Sequence, residues 1–399
     1  MALETIVLAA GSFPSFALAT KAVHLAKISL SPRQVERLAH LVGHELQQQR
    51  DQNVLQHRHR LLPARTPLIP EAVVVEVDGG RMRTRAEEQK PGVYEAKNQE
   101  TKVACLATLK SPEFTEDPSP EPPPGFLKPR RVRRLVQQMK GQAGAGENPE
   151  NAEKTVEPKD PIAKIERQAR WSPKKQIRTC VASMACSDQF GPMMAAEAQQ
   201  RHFYEAKKGA FVGDGAAYNW TIHHGYFPTL EPIVDFLHVL CYVYGASRAV
   251  WNQEAASWSQ YASWMRGCWQ GRVEEVLLEL DQWQARLGEA PPGEGETAAE
   301  KNDPRRVLDR TRTYLRNNRE RMDYPRYRTA GLPTTSSLAE SLVGEINSRV
   351  KSRQKYWNRG QESESILQLR AAVLSEDGRL ERFFERRKGC PTRKQKKIA

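Results

Sequence analysis

A run of β-branched residues defines one strand of this chain before any other element is assigned. Val73, Val74, Val75 and Val77 form a short apolar stretch that stops at Asp78-Gly79-Gly80. Branching at Cβ favours extended backbone, and two further extended stretches are predicted at 92–97 and 102–109. Three consecutive strands joined by tight turns make an antiparallel meander.

The second part of the sequence alternates between strand and helix. A strand is predicted at 177–187, a helix at 192–207, a strand at 210–213 and a short buried strand at 233–236. A meander followed by helix, strand and a later helix is the element order of a ribonuclease-H-like α/β sheet. The predicted fold class is therefore a mixed α/β sheet of this kind.

Charge and hydropathy describe a globular, basic protein. The 399 residues include 39% hydrophobic residues, enough for a core, and 61 Lys and Arg against 48 Asp and Glu. Of the net charge of +13, residues 347–399 contribute +9, from 15 basic and 6 acidic residues. Such a concentration of positive charge favours a polyanionic partner.

No membrane or secreted form is expected. The longest apolar run has 14 residues, from 233 to 246, whereas a membrane span needs about 20. The first residues lack the basic segment of a signal peptide. The six cysteines show no C-x2-C spacing, which is typical of reduced thiols in a cytoplasmic protein.

Helices are predicted at the N-terminus and after residue 249. Residues 13–60 read as two helices with a break at which Ser31 caps and Pro32 begins the second. They fit a DNA-reading helix-turn-helix or an ordinary helical hairpin. The Trp-rich stretch 249–285 is interpreted as a helical core, with DNA wedging by exposed rings as the alternative. Further helices are predicted at 305–320 and 337–357.

A proline-rich segment interrupts this pattern. Residues 111–161 contain 10 of the 26 prolines, so this stretch is predicted to be a disordered insertion. It includes the basic cluster Lys128-Pro-Arg-Arg-Val-Arg-Arg134, which is either a solvated run or a phosphate contact. In a second basic stretch, basic residues alternate with aromatic ones; its members are Arg349, Lys351, Arg353, Lys355 and Trp357. It is a candidate DNA-binding surface, or else a solvated helix whose rings face inward.

Three acidic residues stand at the ends of predicted elements. Asp78 follows the valine run, Asp214 follows the strand at 210–213, and Glu340 lies in the later helix. Separately, each has a simpler explanation: a hairpin turn for Asp78, a turn or cap for Asp214, and a capping box in Ser337-Leu-Ala-Glu340. In the predicted sheet, however, the strands carrying Asp78 and Asp214 are neighbours, and Glu340 can complete a cluster. Three close carboxylates repel unless a cation holds them, and Mg²⁺ prefers such ligands.

The sequence resembles the DDE transposases of bacterial insertion sequences, specifically the ISKra group, which is related to the Mutator-like transposases. The resemblance spans roughly residues 70–375 and is carried, in order, by Val77-Asp-Gly-Gly-Arg-Met-Arg-Thr-Arg85, Gly213-Asp-Gly-Ala216, Ile233-Val-Asp-Phe-Leu-His238, Tyr314-Leu-Arg-Asn-Asn318, Arg321-Met-Asp-Tyr-Pro325, Gly331-Leu-Pro333 and Ser336-Ser-Leu-Ala-Glu-Ser341, continuing to Arg349-Val-Lys351 and Trp357.

The resemblance implies a catalytic site. In the family, the positions matching Asp78, Asp214 and Glu340 are the metal-binding acids, and His238 matches a histidine that assists in the site. His238 also fits an ordinary histidine at a buried helix start. Glu345 is the rival for the third acid, and Glu340 is preferred for its Ala-Glu-Ser context.

These readings together predict a bacterial, nucleoid-associated transposase that cleaves and joins DNA with Mg²⁺, or Mn²⁺. Its partners are double-stranded element ends and target DNA, on which it forms a homo-oligomer. An inactive or domesticated DNA-binding derivative is the alternative. The predicted parts are an N-terminal helical segment (1–65), two core parts (66–110 and 171–248) around the insertion (111–170), a helical insertion (249–330), the final catalytic helix region (331–375) and a basic tail (376–399).

Overall fold

The computed structural model describes residues 2–84, 97–143, 172–293, 297–351, 357 and 360–388. Its five strands are β1 (Ala72–Thr84), β2 (Lys97–Lys110), β3 (Lys174–Ser183), β4 (Lys208–Gly213) and β5 (Glu231–Val234). They form one sheet in the order β3-β2-β1-β4-β5. β1–β2 and β2–β3 pair antiparallel, whereas β1–β4 and β4–β5 pair parallel. The expected α/β class with a mixed sheet is confirmed.

Helices cover both faces of this sheet. In chain order they are α1 (Ala2–Ser12), α2 (Phe16–Leu25), α3 (Pro32–Arg58), α4 (Pro129–Ala143), α5 (Ser187–Gln200), α6 (Ala217–Tyr226), α7 (Phe236–Val250), α8 (Glu254–Trp269), α9 (Val273–Leu287), α10 (Ala298–Lys301), α11 (Pro304–Asn318), α12 (Tyr324–Thr329), α13 (Ser337–Val350), α14 (Gly360–Leu374) and α15 (Arg379–Arg386). Short 3-10 turns lie at Pro124–Leu127, Phe203–Glu205 and Arg319–Arg321.

The alternation of strand side chains assigns the helices to faces. Val73, Val75 and Val77 of β1 pack with residues of α5 and α6 in one core. Val74 and Met82 belong to the other and larger core, which includes residues of α4, α7, α13 and α14. Because side chains alternate along a strand, Asp78 points to the same face as Val74, towards α7 and α13.

The strand carrying Asp78 does not end where the sequence suggested. β1 runs through Asp78-Gly79-Gly80 to Thr84, and Asp78 is paired with Val103 in the middle of the β1–β2 ladder. The turn interpretation of this tripeptide is wrong, since neither glycine has the positive φ of a hairpin turn. Gly80 instead allows close packing: a Cβ there would lie 2.8 Å from Thr101 Oγ1 and 3.9 Å from a Val343 methyl of α13.

The proline-rich segment is ordered as far as the structure describes it. Residues 111–123 form a connection, and α4 begins at Pro129, so disorder is wrong for 111–143, while 144–171 lie outside the described residues. The physical reason is an amphipathic pattern that the proline count conceals. Val132 and Val136 of α4 are buried in the larger core, so this helix has an apolar face to pack.

The N-terminal helices are confirmed, and they are packed against the C-terminal region. Ser31 caps α3 through a complete capping box with Gln34, and Pro32 is its first residue, as predicted. α3 crosses α14, and a Cβ on Gly43 would overlap the backbone of Ser365. Among the described residues, no helix is long and apolar enough to cross a membrane.

The Trp-rich region is helical, as predicted, and forms α8 and α9. Trp264 and Trp269 are buried, which confirms a core role for these two rings, while Trp251 stays 38% exposed against Trp283. The helix predicted at 337–357 ends at Val350. The extended stretch at 92–96 and the tail from residue 389 lie outside the described residues.

Candidate active site

The register of two parallel strands brings the first two predicted acids together. Glu76 of β1 is the partner of Val212 in β4. Two residues further along each strand stand Asp78 and Asp214, the latter directly after β4 ends at Gly213. Adjacent strands lie about 4.8 Å apart, so both side chains are presented at one edge of the sheet.

Asp78 is held at this edge and is almost completely buried. Its Oδ1 accepts a hydrogen bond from the Gly79 backbone amide at 2.7 Å, while Oδ2 is buried with no hydrogen-bond partner. Burial raises the pKa of Asp78 to about 6, against the lowering effect of His238. The nearby charge of Asp214 contributes to this raised pKa. An unpaired carboxylate oxygen in such a place is one that a cation can stabilise.

Asp214 is fixed by the turn that follows β4. Its Oδ1 accepts hydrogen bonds from the Ala216 amide at 2.9 Å and from Asn219 Nδ2 at 2.8 Å. Gly215 has φ +92, a conformation that favours glycine, and a Cβ there would lie 2.6 Å from the Tyr314 ring. The Tyr314 hydroxyl donates to the Asp214 carbonyl at 2.9 Å. The turn interpretation of Asp214 is therefore confirmed.

Glu340 reaches the same site from α13. Burial, together with the charges of Asp235 and Asp78, raises the pKa of Glu340 to about 8 against the lowering effect of His238. Its Oε1 is buried and has no hydrogen-bond partner. The capping-box explanation is wrong: the N-cap residue is Ser336, and its hydroxyl donates to Asp235 rather than capping α13. Glu345 points elsewhere and forms an ion pair with Arg178 of β3 at 2.8 Å.

A buried glutamate holds the start of α13 above β1. Glu76 is 1% exposed, and its Oε2 accepts a hydrogen bond from the Ala339 amide at 2.7 Å. An acidic group at a helix N-terminus is favoured by the helix dipole. Because Glu76 stands two residues before Asp78 on the same strand face, it sets the position of Glu340 relative to Asp78.

Asp235 and His238 form the second support of the site. Asp235 caps α7, is completely buried, and accepts from the Leu237 amide, from His238 Nδ1 at 2.8 Å and from both the amide and the hydroxyl of Ser336. Burial lowers the pKa of His238, but the hydrogen bond and charge of Asp235, with the charges of Asp214 and Asp78, raise it to about 9. The engaged Nδ1 leaves the other ring nitrogen for the cavity.

A cavity of about 260 Å³ lies beside three of these groups. Asp78, Asp214 and His238 line it, together with Tyr218 of α6 and Met139 of α4. A larger cavity of about 580 Å³ lies between α3, α5 and α15, but its arginines are mostly engaged by Glu197, Asp377 and Glu45. The smaller cavity is the candidate site because Asp78, whose Oδ2 is buried without a hydrogen-bond partner, lines it together with Asp214.

The donor chemistry of this cavity fits a hard divalent cation. Carboxylate oxygens are the ligands that Mg²⁺ and Mn²⁺ prefer, and one oxygen of Asp78 in the cavity, like one oxygen of Glu340 on α13, is buried without a partner. Across the part of the chain that the structure describes, however, no three acidic, histidine or cysteine side chains lie close enough to hold a metal ion as they stand. Binding would require a change of carboxylate rotamers.

Two residues of the predicted DNA-binding stretch, Arg349 and Trp357, are buried. Arg349 is 1% exposed, donates to the Ala10 carbonyl at 2.8 Å and stacks over the rings of Phe16 and Trp357. Trp357 is buried and donates to the Val350 carbonyl. Assigning these two residues to DNA contact is therefore wrong, because their side chains join the N-terminal helices to α13. Lys351 is exposed, while Arg353 and Lys355 lie outside the described residues.

Sequence reasoning missed two residues that build the site, Glu76 and Asp235. Each carried a signal: Glu76 is a charge inside an apolar strand, and Asp235 precedes an apolar helix at a cap position. Their partners, Ala339 and Ser336, are distant along the chain, so only the fold reveals the contacts.

The chain matches no known protein-family model and no curated protein sequence. The case for its function therefore depends on its own residues and geometry.

Proposed function

We propose that this protein is a DDE-type transposase with a ribonuclease-H-like core. The observation that carries the proposal is the placement of three acids: Asp78 inside central β1, Asp214 at the end of the adjacent parallel β4, and Glu340 on α13 above them. The strand order β3-β2-β1-β4-β5, with the first three strands antiparallel, supports the same core.

In this proposal Asp78, Asp214 and Glu340 hold Mg²⁺ or Mn²⁺. When bound, such ions activate an attacking oxygen and stabilise the leaving oxygen in phosphodiester cleavage. The protein residues position the DNA strand and neutralise the negative charge of its phosphate. His238, oriented by Asp235, places a positive charge beside the acids, where the phosphate of a DNA strand would carry negative charge.

The reaction consists of two in-line displacements at phosphorus. Water attacks the phosphodiester at the element end and releases a 3′-hydroxyl, and that hydroxyl then attacks a phosphodiester of the target strand. In-line phosphoryl transfer needs positioning and charge neutralisation rather than a protein nucleophile. The substrates are double-stranded element ends and target DNA.

The direct test uses duplexes made from the DNA that flanks the gene, incubated with Mg²⁺ and the purified protein. Asp78→Asn, Asp214→Asn and Glu340→Gln should each reduce strand cleavage and strand transfer to background while DNA binding persists. Glu345→Gln is the matched control on the same helix, and it should retain activity because Glu345 is paired with Arg178 outside the cavity. Cleavage by any of the first three variants at the wild-type rate would refute the assignment.

A second candidate function is a DNA-binding derivative without catalysis. It is favoured by one observation: the described residues contain no three ligands close enough to hold a metal as they stand. Under this alternative, the wild-type protein binds the flanking duplexes and never nicks them in Mg²⁺ or Mn²⁺, so the same assay separates the two.

A further inference from the structure

Helix α4 carries a group of exposed arginines that the catalytic proposal does not use. Its apolar face, with Val132 and Val136, is buried against the larger core, and its opposite face is strongly basic. The exposed basic residues in and just before its first two turns are Lys128, Arg130, Arg131, Arg133 and Arg134.

This basic face extends to a neighbouring helix. Arg133 forms an ion pair with Glu254, and the same small surface depression contains Arg248 of α7, which is exposed. Arg130 and Arg134 are one helical turn apart and point directly away from the apolar face. Glu254 therefore neutralises only one of several arginines, so the surface formed by the α4 basic face and Arg248 keeps a positive charge.

The placement of these arginines is unfavourable for the helix itself. Like charges four residues apart repel, and positive charge in a first turn opposes the helix dipole. The first turn of α4 contains no acidic residue. A solvated face without a partner gains nothing from this arrangement, whereas a polyanion would stabilise it.

The same helix forms a wall of the acidic cavity. Met139 of α4 lines that cavity with Asp78, Asp214 and His238. At a rise of about 1.5 Å per residue, Arg134 lies roughly 7 Å and Arg130 roughly 13 Å along the axis from Met139. Met139 lies on the apolar side of the helix with Val132 and Val136, so the arginines face the opposite side and a duplex bound to them lies beside the cavity.

We propose that the α4 basic face, Arg130 and Arg134 above all, binds the phosphate backbone of a DNA duplex beside the cavity lined by Asp78 and Asp214. This inference rests on the proposed function and adds the path of the DNA. It assigns the surface to an element between β2 and β3 rather than to the N-terminal helices or the stretch around Arg349.

The test measures binding of a short fluorescein-labelled duplex by anisotropy, without divalent metal, between about 50 and 200 mM salt. Arg130→Gln/Arg134→Gln should weaken binding at least about tenfold and make the slope of log affinity against log salt shallower by roughly 1.8, the amount expected for two lost phosphate contacts. Glutamine keeps the helix propensity of arginine.

The matched control is Arg33→Gln/Arg37→Gln on α3, an exposed pair with the same spacing. It also examines the N-terminal helix-turn-helix that the sequence allowed. Its affinity should stay within about twofold of wild type. The inference is overturned if Arg130→Gln/Arg134→Gln leaves the salt slope unchanged, or if Arg33→Gln/Arg37→Gln loses as much DNA affinity. It is also overturned if the wild type shows no salt-dependent binding.

Failure here and failure of the catalytic proposal are distinguishable. If Arg130→Gln/Arg134→Gln shows the predicted change in salt slope but the wild type never cleaves DNA, the DNA-binding surface is supported and the catalytic proposal is refuted. If Mg²⁺-dependent cleavage occurs and the α4 pair binds as the wild type does, the catalytic proposal stands and this path is wrong.

Discussion

At the scale of single residues, Asp235 connects more of the site than any predicted acid does. Its carboxylate joins the start of α7 to Ser336, and it fixes one ring nitrogen of His238. Hydrogen bonds to a buried carboxylate orient their donors and stabilise the charge. Asp235 is thus a positioning residue for His238 and, through Ser336, for the helix that carries Glu340.

Replacing Asp235 with Asn should change the titration of His238. The amide retains the size of the side chain but removes the charge that raises the pKa of His238 to about 9, so this pKa should fall towards 6.5. Because the folded-state pKa is above the ordinary value, the stabilisation from this pair is complete below about pH 6.5 and is lost as pH rises through about 9. NMR titration of the imidazole in metal-free protein measures the change.

The control for this titration is Asp303→Asn, another aspartate that caps a helix, here α11. It should leave the His238 titration unchanged. If His238 titrates alike in the wild type and in Asp235→Asn, the hydrogen bond at 2.8 Å does not set its pKa.

The sequence predicted the position of these residues better than their contacts. Asp78, Asp214 and Glu340 are predicted from strand ends and a helix; in the structure Asp78 and Asp214 line one cavity, and Glu340 lies close enough for its charge to interact with that of Asp78. The sequence could not show that Asp78 lies within a strand, because Asp-Gly-Gly favours a turn unless a helix packs over the glycine. That packing is a tertiary contact.

At the scale of elements, the crossing of α3 and α14 joins the N-terminal helices to the sheet. Gly43 lies at the crossing point, where a Cβ would lie 2.9 Å from the Ser365 Cβ and still closer to its backbone. A glycine in a helix interior costs about 1 kcal/mol relative to alanine, so its presence here reflects the close approach of two backbones.

Gly43→Ala should therefore destabilise the protein. The added methyl group overlaps backbone atoms that cannot move without separating the helices, and overpacking of this kind costs about 1–3 kcal/mol. Gly344→Ala in α13 is the control, since nothing lies within 4 Å of its Cβ, and it should stabilise by up to about 1 kcal/mol. Urea denaturation followed by circular dichroism measures both. Equal effects of the two substitutions would show that the α3–α14 crossing is looser than described.

Proline content misled the prediction for one element. Residues 111–161 were interpreted as disordered from composition, yet α4 packs an apolar face inside that range. Six of the ten prolines lie before α4, at 112–124, where their fixed φ suits an extended connection. Composition averaged over fifty residues cannot distinguish such a connection and helix from a chain without structure.

At the scale of the whole molecule, an ion network ties distant parts of the chain together. Glu197 of α5 accepts from Arg379 of α15 and forms an ion pair with Arg65, which follows α3. Asp377 binds the same two arginines at 2.9 Å. Burial alone would raise the pKa of Glu197, but the charges of Arg379, Arg65 and Arg201 lower it to about 2.

This network should make the protein sensitive to acid. The folded-state pKa of Glu197 is below its ordinary value of 4.5, so its stabilisation is fully present above pH 4.5 and is lost as pH falls through about 2. The difference corresponds to roughly 3 kcal/mol. Glu197→Gln should lower the free energy of unfolding at pH 7 and flatten its decline between about pH 5 and 2. If the free energy of unfolding of Glu197→Gln declines with acid as steeply as that of the wild type, Glu197 is not the source of the acid sensitivity.

The central claim for the whole molecule is that three acids far apart in sequence share one divalent cation. Iron-directed cleavage tests it most directly: Fe²⁺ takes the place of Mg²⁺, and ascorbate with peroxide generates radicals that cut the backbone beside the bound ion. We expect fragments that end near residues 78, 214 and 340, suppressed by excess Mg²⁺ and absent in Asp78→Asn. Cuts confined to other segments, or cuts near only one of the three acids, would contradict a shared site.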